Sequence, residues 1–287
     1  MPAVSAALLD LMPELDAVEG TVSVWCARLD APPAVARLAD VEHYAASTMK
    51  VAVLAAAYRL VEAGRLDLDA AVPVVNEFAS SAPGAPAFAC TERYDNDPGV
   101  WAALGREVRL RWLADRMITR SSNLATNLVL DRVGRAAVAE AWRAVGARHS
   151  VVGRGIEDAA ARDAGITNTV TAADLGALLS AVVTGPPLVS TASSRAMLAT
   201  LEAQRGVEDL AAGLPPGTRI AHKNGWVMGA RHGAGVIFPA DAPPYVLAVC
   251  ATTPLARNDV ADDACALLAR IAAASWRDRH DLAPAMS

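Results

Sequence analysis

Ser47 and Lys50, in the stretch STMK, stand three residues apart at the head of an alanine-rich run, VAVLAAAYRLVEAG (51–64). A serine hydroxyl is a poor nucleophile until a base removes its proton. A lysine one turn further along a helix shares the serine's face and comes within hydrogen-bond reach of it. Buried near other cations, such a lysine gives up its own proton more readily and can serve as the base. A helix start also presents free N–H groups and the positive end of the macrodipole, which favour negative charge developing there. The N–H of Ser47 could then form half of an oxyanion hole. The pair also has a simpler reading, because serine is a favoured helix cap and lysine is common beside one. S-x-x-K alone does not decide between a nucleophile with its base and a capped helix.

Three further pieces place small polar or charged groups at element boundaries. Ser121-Ser122-Asn123 falls in a turn between two helices, Glu157 lies in the turn-rich stretch RGIEDAAARDAGITNT (154–169), and Lys223-Asn224-Gly225 sits on a late strand. His222 precedes Lys223, so its side chain should point to the opposite face of that strand and be structural, while His232 could support the site from behind. No H-x-x-x-H or comparable ligand spacing occurs among the five histidines, so neither a metal nor another cofactor is expected. None of the four cysteines forms a C-x-x-C pair. Cys26, Cys250 and Cys265 lie in apolar surroundings and read as buried free thiols, whereas Cys90, in a polar loop, could be exposed.

These groups need elements to carry them. The 287 residues are 53% hydrophobic, enough for one large domain or two closely joined lobes. Net charge is −5, and no basic run interleaves with aromatics, which argues against nucleic acid as a partner. The first twenty residues lack a basic start and a long apolar core, and read as an amphipathic helix rather than an export signal. No apolar run reaches membrane-spanning length. The expected location is cytoplasmic, unless an export segment has been removed, and the expected state is a monomer or weak oligomer.

GTVSVWCARLD (20–30) alternates as a strand, and APPAVARLADVEHYAAS (31–47) is a short strand or loop leading to Ser47. From 47 to about 200 the helical period dominates, with glycines closing several helices, at Gly64 and Gly134 among others. Short β-like runs then return in TRIAHKNGW, RHGAGVIFPA and YVLAVCATT, and a last helix follows within 259–281. The order predicts an α/β domain built from 1–46 and 205–287. An all-helical domain, 47–204, is inserted in it, with the active site in the cleft between them.

Taken together, STMK (47–50), SSN (121–123) and KNG (223–225), in that order, resemble the serine β-lactamase and penicillin-binding-protein family, class A in particular, whose signature is S-x-x-K, S-D-N and K-T-G. MITRSSNLATNLVLDRVG (117–134), LPPGTRIAHKNGW (214–226) and GARHGAGVIFP (229–239) resemble that family's surroundings of the second and third motifs, and the likeness spans roughly residues 15 to 275. It implies an antiparallel five-stranded sheet flanked by helices, with an inserted helical lobe. It also implies that Ser47 is the acylated nucleophile, Lys50 its base, and Ser121 a proton relay to the leaving group. Asn123 would hold Lys50 and the substrate amide, and Lys223 would supply positive potential near Ser121. The N–H of Trp226, just past Asn224 and Gly225, would complete the oxyanion hole, and Arg231 on the next strand could bind a substrate carboxylate through its bidentate fork.

The likeness assigns the deacylating water to Glu157, with Asp158 as the alternative carboxylate. The family usually writes E-x-x-L-N at this place, whereas this chain has Ala161 where the asparagine would help hold the water. Ser122 replaces the motif's aspartate but can still cap the turn. Asn224 replaces a hydroxyl residue and can still donate to a carboxylate. The expected function is a serine hydrolase that cleaves an amide or ester, β-lactams included, bearing a carboxylate. Its alternatives are a cytoplasmic esterase, peptidase or transacylase, or a sensor-like domain that acylates without turnover. Substrate choice should depend on the loop from Tyr94 to Trp101 and on the surroundings of Trp226.

Overall fold

The computed structural model describes residues 6–29 and 31–282. One antiparallel sheet organises the chain. Its strands are β1 (Thr21–Arg28), β2 (Val35–Arg37), β3 (Arg219–Phe238) and β4 (Tyr245–Arg257), in the spatial order β2-β1-β4-β3. β1 and β4 pair from Thr21–Thr252 to Arg28–Tyr245. β3 pairs with β4 from Ala230–Thr252 to Ile237–Tyr245, with a bulge between Met228 and Ala230. A straight strand of this length would hold Ala221 and Gly235 roughly 45 Å apart. Instead a Cβ on Gly235 would lie 2.7 Å from that of His222. β3 therefore doubles back near Gly229, whose φ of +81° suits such a reversal, and five extended segments lie abreast as the resemblance implies.

Both sheet faces are covered, which is why β4 reads as an unbroken apolar run rather than an alternating one. Its period of two still sorts the side chains. Val246, Ala248 and Cys250 join one cluster with the central helices, while Tyr245, Leu247, Val249 and Ala251 join a second cluster with Leu267, Leu268 and Ile271 of the last helix. The expected amphipathic N-terminal helix is two short helices, Ala6–Asp10 and Met12–Ala17, which bury Leu8 and Leu15 in that second cluster. Residues 1–5 of that expected helix lie outside the described residues.

The central helices are α1 (Lys50–Glu62), α2 (Leu110–Thr119), α3 (Asn123–Val133), α4 (Ala172–Thr184) and α5 (Thr191–Glu202), and α6 (Asp263–Arg277) closes the fold. α1 is buried on all sides from Lys50 to Tyr58 apart from its final turn, as an alanine-rich helix with no polar face should be. The 47–204 stretch differs from the expected all-helical domain in two ways. It contains short strand pairs, Ala71–Pro73 with Glu107–Arg109 and Val151–Val152 with Asn168–Val170. Part of it also packs directly on the sheet, where Gly176 of α4 lies against the Trp25 ring and leaves no room for a Cβ. Residues 168–170 also pair with His43–Tyr44, tying the segment just before Ser47 to the base of the Glu157 loop. Among the described residues, no helix is long and apolar enough to cross a membrane.

Candidate active site

The Ser47 turn is a 3-10 helix, Ala46–Met49, that continues into α1 at Lys50. Neither helix start uses a side-chain cap, so the hydroxyl of Ser47 is not spent as the cap the sequence allowed. Ala46 is held at φ +45°, a conformation unusual for alanine, and it is buried. Strain of this kind persists only where its surroundings fix it, and here it delivers Ser47 to the wall of a cavity of about 460 Å3. Ser121, Asn123, Glu157 and Trp226 line the same cavity. Gly225 presses its backbone against the Ser47 turn, and a Cβ there would stand 2.5 Å from Ser47 N and 3.0 Å from Thr48 N. Glycine is therefore required at 225 if the Ser47 amide is to stay open to a ligand.

Beneath the cavity lie two fully buried lysines. Lys50 Nζ donates to the Ser121 carbonyl at 2.8 Å, to Ser121 Oγ at 3.2 Å and to Asn123 Oδ1 at 3.1 Å. Lys223 Nζ donates to the same Ser121 Oγ at 3.0 Å and to the Asn224 carbonyl at 2.9 Å. Ser121 is held at φ +57°, which turns both its carbonyl and its hydroxyl toward Lys50. Burial lowers the Lys50 pKa to about 7, with the charge of Asp95 pulling the other way. Burial, and then the neighbouring Lys50, push Lys223 well below its ordinary value. Lys50 can therefore exist as a neutral amine near neutral pH, which a base requires. Among the described residues no hydrogen bond joins Ser47 to Lys50, and Lys50 instead bonds Ser121 and Asn123.

Glu157 also sits at positive φ, +68°. One carboxylate oxygen accepts from Thr91 N at 3.0 Å, while Oε1 is buried with no protein partner. The loop is fixed from below by Asn127, whose amide bonds both the N–H and the carbonyl of Ile156, at 2.7 and 2.9 Å. Asp158, the alternative carboxylate, is committed elsewhere. It caps the short helix Ala159–Asp163 and binds Ser80 Oγ and Ser81 N, both at 2.7 Å. Ala161 N donates to Asp158, so neither its backbone amide nor its methyl group can hold a water.

Three sequence expectations are corrected by the geometry. Arg231 is fully buried; its guanidinium donates to the carbonyls of Asp259 and Val260, both at 2.8 Å, stands 3.4 Å from Asp262 and covers the Trp226 ring. It braces the loop beside Trp226 and has no open face for a substrate carboxylate. Asn224 is buried too, its amide bonded to Gln204 Nε2 at 3.2 Å, to the Gly206 carbonyl at 3.3 Å and to Lys223 Nζ at 3.4 Å, so it is already committed within the protein. Cys90 is buried rather than exposed, with Asn127 Nδ2 at 3.1 Å from its sulfur, and burial followed by the charge of Glu157 pushes its thiol up to about 12. His222 is buried against Gly235, and His232 donates through Nε2 to the Tyr44 carbonyl at 2.7 Å, steadying the chain three residues before Ser47. Among the described residues no cluster of His, Cys, Asp or Glu could hold a metal.

Asp95 is the functional neighbour the motifs did not reveal. Ser122 caps α3 by accepting from Ala125 N at 3.1 Å, and its hydroxyl donates to Asp95 Oδ2, also at 3.1 Å. The same oxygen accepts from Leu124 N at 2.8 Å. The carboxylate missing at position 122 is thus supplied by a different loop. That loop is anchored by the ion pair of Asp97 with Arg116, and its Tyr94 carbonyl accepts from Asn123 Nδ2 at 2.9 Å. Tyr94 and Asn96 line the cavity, but Trp101 does not.

The geometry can be set beside known proteins. A sequence profile described as the Beta-lactamase enzyme family matches residues 3–276. No curated protein sequence matches the chain. Among solved structures, a β-lactamase from Sphaerobacter thermophilus is 25% identical, with 96% of each chain covered and a TM-score of 0.74. A β-lactamase from Xanthomonas campestris pv. campestris is 20% identical, with 97% of this chain and 99% of that one covered and a TM-score of 0.80. PBP-A is 24% identical over 95% of each chain, with a TM-score of 0.75. These structures share the fold, the profile spans nearly the whole sequence, and this chain, a serine hydrolase, belongs to the Beta-lactamase enzyme family.

Proposed function

We propose that the protein hydrolyses β-lactams through an acyl-enzyme on Ser47. One observation carries this reading: a single hydroxyl, Ser121 Oγ, lies 3.2 and 3.0 Å from the amines of two buried lysines beside Ser47. Ser47 Oγ attacks the lactam carbonyl carbon as its proton passes to neutral Lys50. The oxyanion is held by the N–H groups of Ser47 and Trp226, with Gly225 keeping that space clear. As the C–N bond breaks, Ser121 gives its proton to the nitrogen and regains one from the adjoining lysines, so the proton taken from Ser47 ends on the leaving group. Glu157 then accepts a proton from water through its unpartnered oxygen as the hydroxide adds to the ester carbon, and when the C–O bond breaks that proton passes to the departing Ser47 Oγ, which restores both the serine and the carboxylate. Lys223, when protonated, favours a substrate that carries a carboxylate on the nitrogen side.

A second reading, stable acylation with slow release, is favoured by one observation. Ala161 offers no group to position the water, and Glu157 alone must do so. Intact-protein mass spectrometry during turnover of a chromogenic β-lactam separates the two. Turnover with a transient adduct supports hydrolysis, a persistent adduct supports the second reading, and no adduct or turnover overturns both.

A further inference from the structure

The chain has two buried arginines among its described residues, and they differ in one respect. Arg231 faces Asp262 and two loop carbonyls. Arg154 is only 5% exposed and has no carboxylate within salt-bridge distance among the described residues. Its Nη1 donates to the Gly155 carbonyl at 3.2 Å and its Nη2 to the Tyr44 hydroxyl at 3.3 Å, while Nε is buried without a partner. A guanidinium with five donors that meets two long, neutral acceptors and, 5.7 Å away, the Tyr44 ring is only partly compensated for its burial. Its backbone does not need the side chain for support, since Asn168 binds both its N–H and its carbonyl, at 3.0 and 3.2 Å. Arg154 and Tyr44 both border the cavity that holds Ser47 and Glu157.

We propose that Arg154 and Tyr44 form an anion subsite that selects substrates with a second carboxylate, carried on the acyl side. The side follows from the acyl-enzyme reading, on which this inference rests. The leaving nitrogen must face Ser121 and Lys223, so the retained acyl group faces the opposite wall, where the Glu157 loop and Tyr44 lie. The guanidinium fork can donate two N–H groups to one carboxylate, and the Tyr44 hydroxyl, already receiving from Arg154, is free to donate its own hydrogen. Arg231, the arginine that the family likeness suggested for a carboxylate, is spent on its own loop, and Arg154 is the buried cation left without a counter-ion.

Two measurements test this. Carbenicillin and benzylpenicillin differ only in a carboxylate on the acyl side chain. The ratio of their acylation efficiencies should favour carbenicillin in the wild type and fall by about 10-fold or more in Arg154→Met, the loss expected for one hydrogen bond to a charged partner. An unchanged ratio overturns the subsite. Binding can also be read without acylation. In Ser47→Ala protein, phenylmalonate should bind at least about 10-fold tighter than phenylacetate, with the preference falling as salt rises and being lost in Ser47→Ala/Arg154→Met. Equal affinities overturn the subsite even if Arg154→Met proves too unstable to assay. Retained phenylmalonate preference with no acylation by either penicillin would instead sink the acyl-enzyme reading and leave the subsite standing.

Discussion

Two walls of the same cleft are built on different principles. The wall of Lys223, Asn224 and Gly225 is a strand, where Lys223 reaches Ser121 Oγ, Asn224 is held by Gln204 and Gly206, and a backbone without a side chain presses on the Ser47 turn. The wall of Glu157 is a loop with positive φ, held in place by Asn127 from α3, by Asp158 reaching to Ser80 and Ser81, and by Thr91 N. The strand places its groups by period and register, whereas the loop depends on side chains far away in the sequence. Changes to the strand wall should therefore damage acylation sharply and locally. Changes to the loop wall should act mainly on deacylation or substrate choice.

The largest effect expected from the loop wall is at Glu157 itself. Glu157→Gln should acylate normally and lose about 10²- to 10⁴-fold in deacylation, read as an adduct that persists in mass spectra. If release is unchanged, the loop does not activate the water. The strand wall is broken most directly by Gly225→Ala, whose Cβ would intrude on the Ser47 amide. Acylation should fall by about 10²- to 10³-fold with deacylation impaired alongside, because both steps use the same oxyanion site. A loss confined to deacylation would contradict the division drawn between the walls.

Reading the sequence went furthest where chemistry follows the chain's own period. Ser47, Lys50, Ser121, Asn123 and Lys223 converge as their motifs implied, and the strands around them alternate as their apolar pattern requires. It fell short where a side chain's partner lies in a distant segment. Arg231 carries the right chemistry for a carboxylate, yet the carbonyls of Asp259 and Val260 claim it. Cys90 sits among polar neighbours in sequence, yet Asn127 and the Ile156 segment cover it. Ser122 seemed to have lost a charge, but the charge arrives from Asp95, twenty-seven residues away. No spacing rule links 95 to 122. The alanine-rich run after Ser47 did signal a helix, though not that the serine hydroxyl would be left out of its cap.

Asp95 gives a smaller test that links the two regions, because its carboxylate supports both the Ser122 turn and the charge of Lys50. Asp95→Asn should slow acylation by about 10-fold, the scale of one lost charge-assisted hydrogen bond, and lower the pH at which acylation levels off. Adding Ser122→Asp to that variant should recover much of the loss, since the carboxylate returns to the same turn. If the double variant is no better than the single one, Asp95 acts only by shaping its loop.

The smallest effects are in pH dependence. With Lys50 at about pH 7, acylation should fall about 10-fold per unit below that pH and level off above it. The same shift bears on stability. The unfolded chain keeps a proton on this lysine up to about pH 10.5, while the folded chain releases it near 7, so stability rises with pH between those limits. Below pH 7 the cost of the buried charge is fully present. Lys50→Met should therefore melt higher than the wild type at pH 6, with the advantage shrinking toward pH 10.

The central claim is that the uncapped Ser47 hydroxyl is the atom that becomes acylated. Peptide mapping by mass spectrometry after brief exposure to benzylpenicillin tests it directly. The account predicts a single adduct on the peptide containing Ser47, absent from Ser47→Ala, whose acylation should fall by about 10⁴-fold or more. An adduct on Ser121 or a lysine, or one that survives in Ser47→Ala, would contradict it.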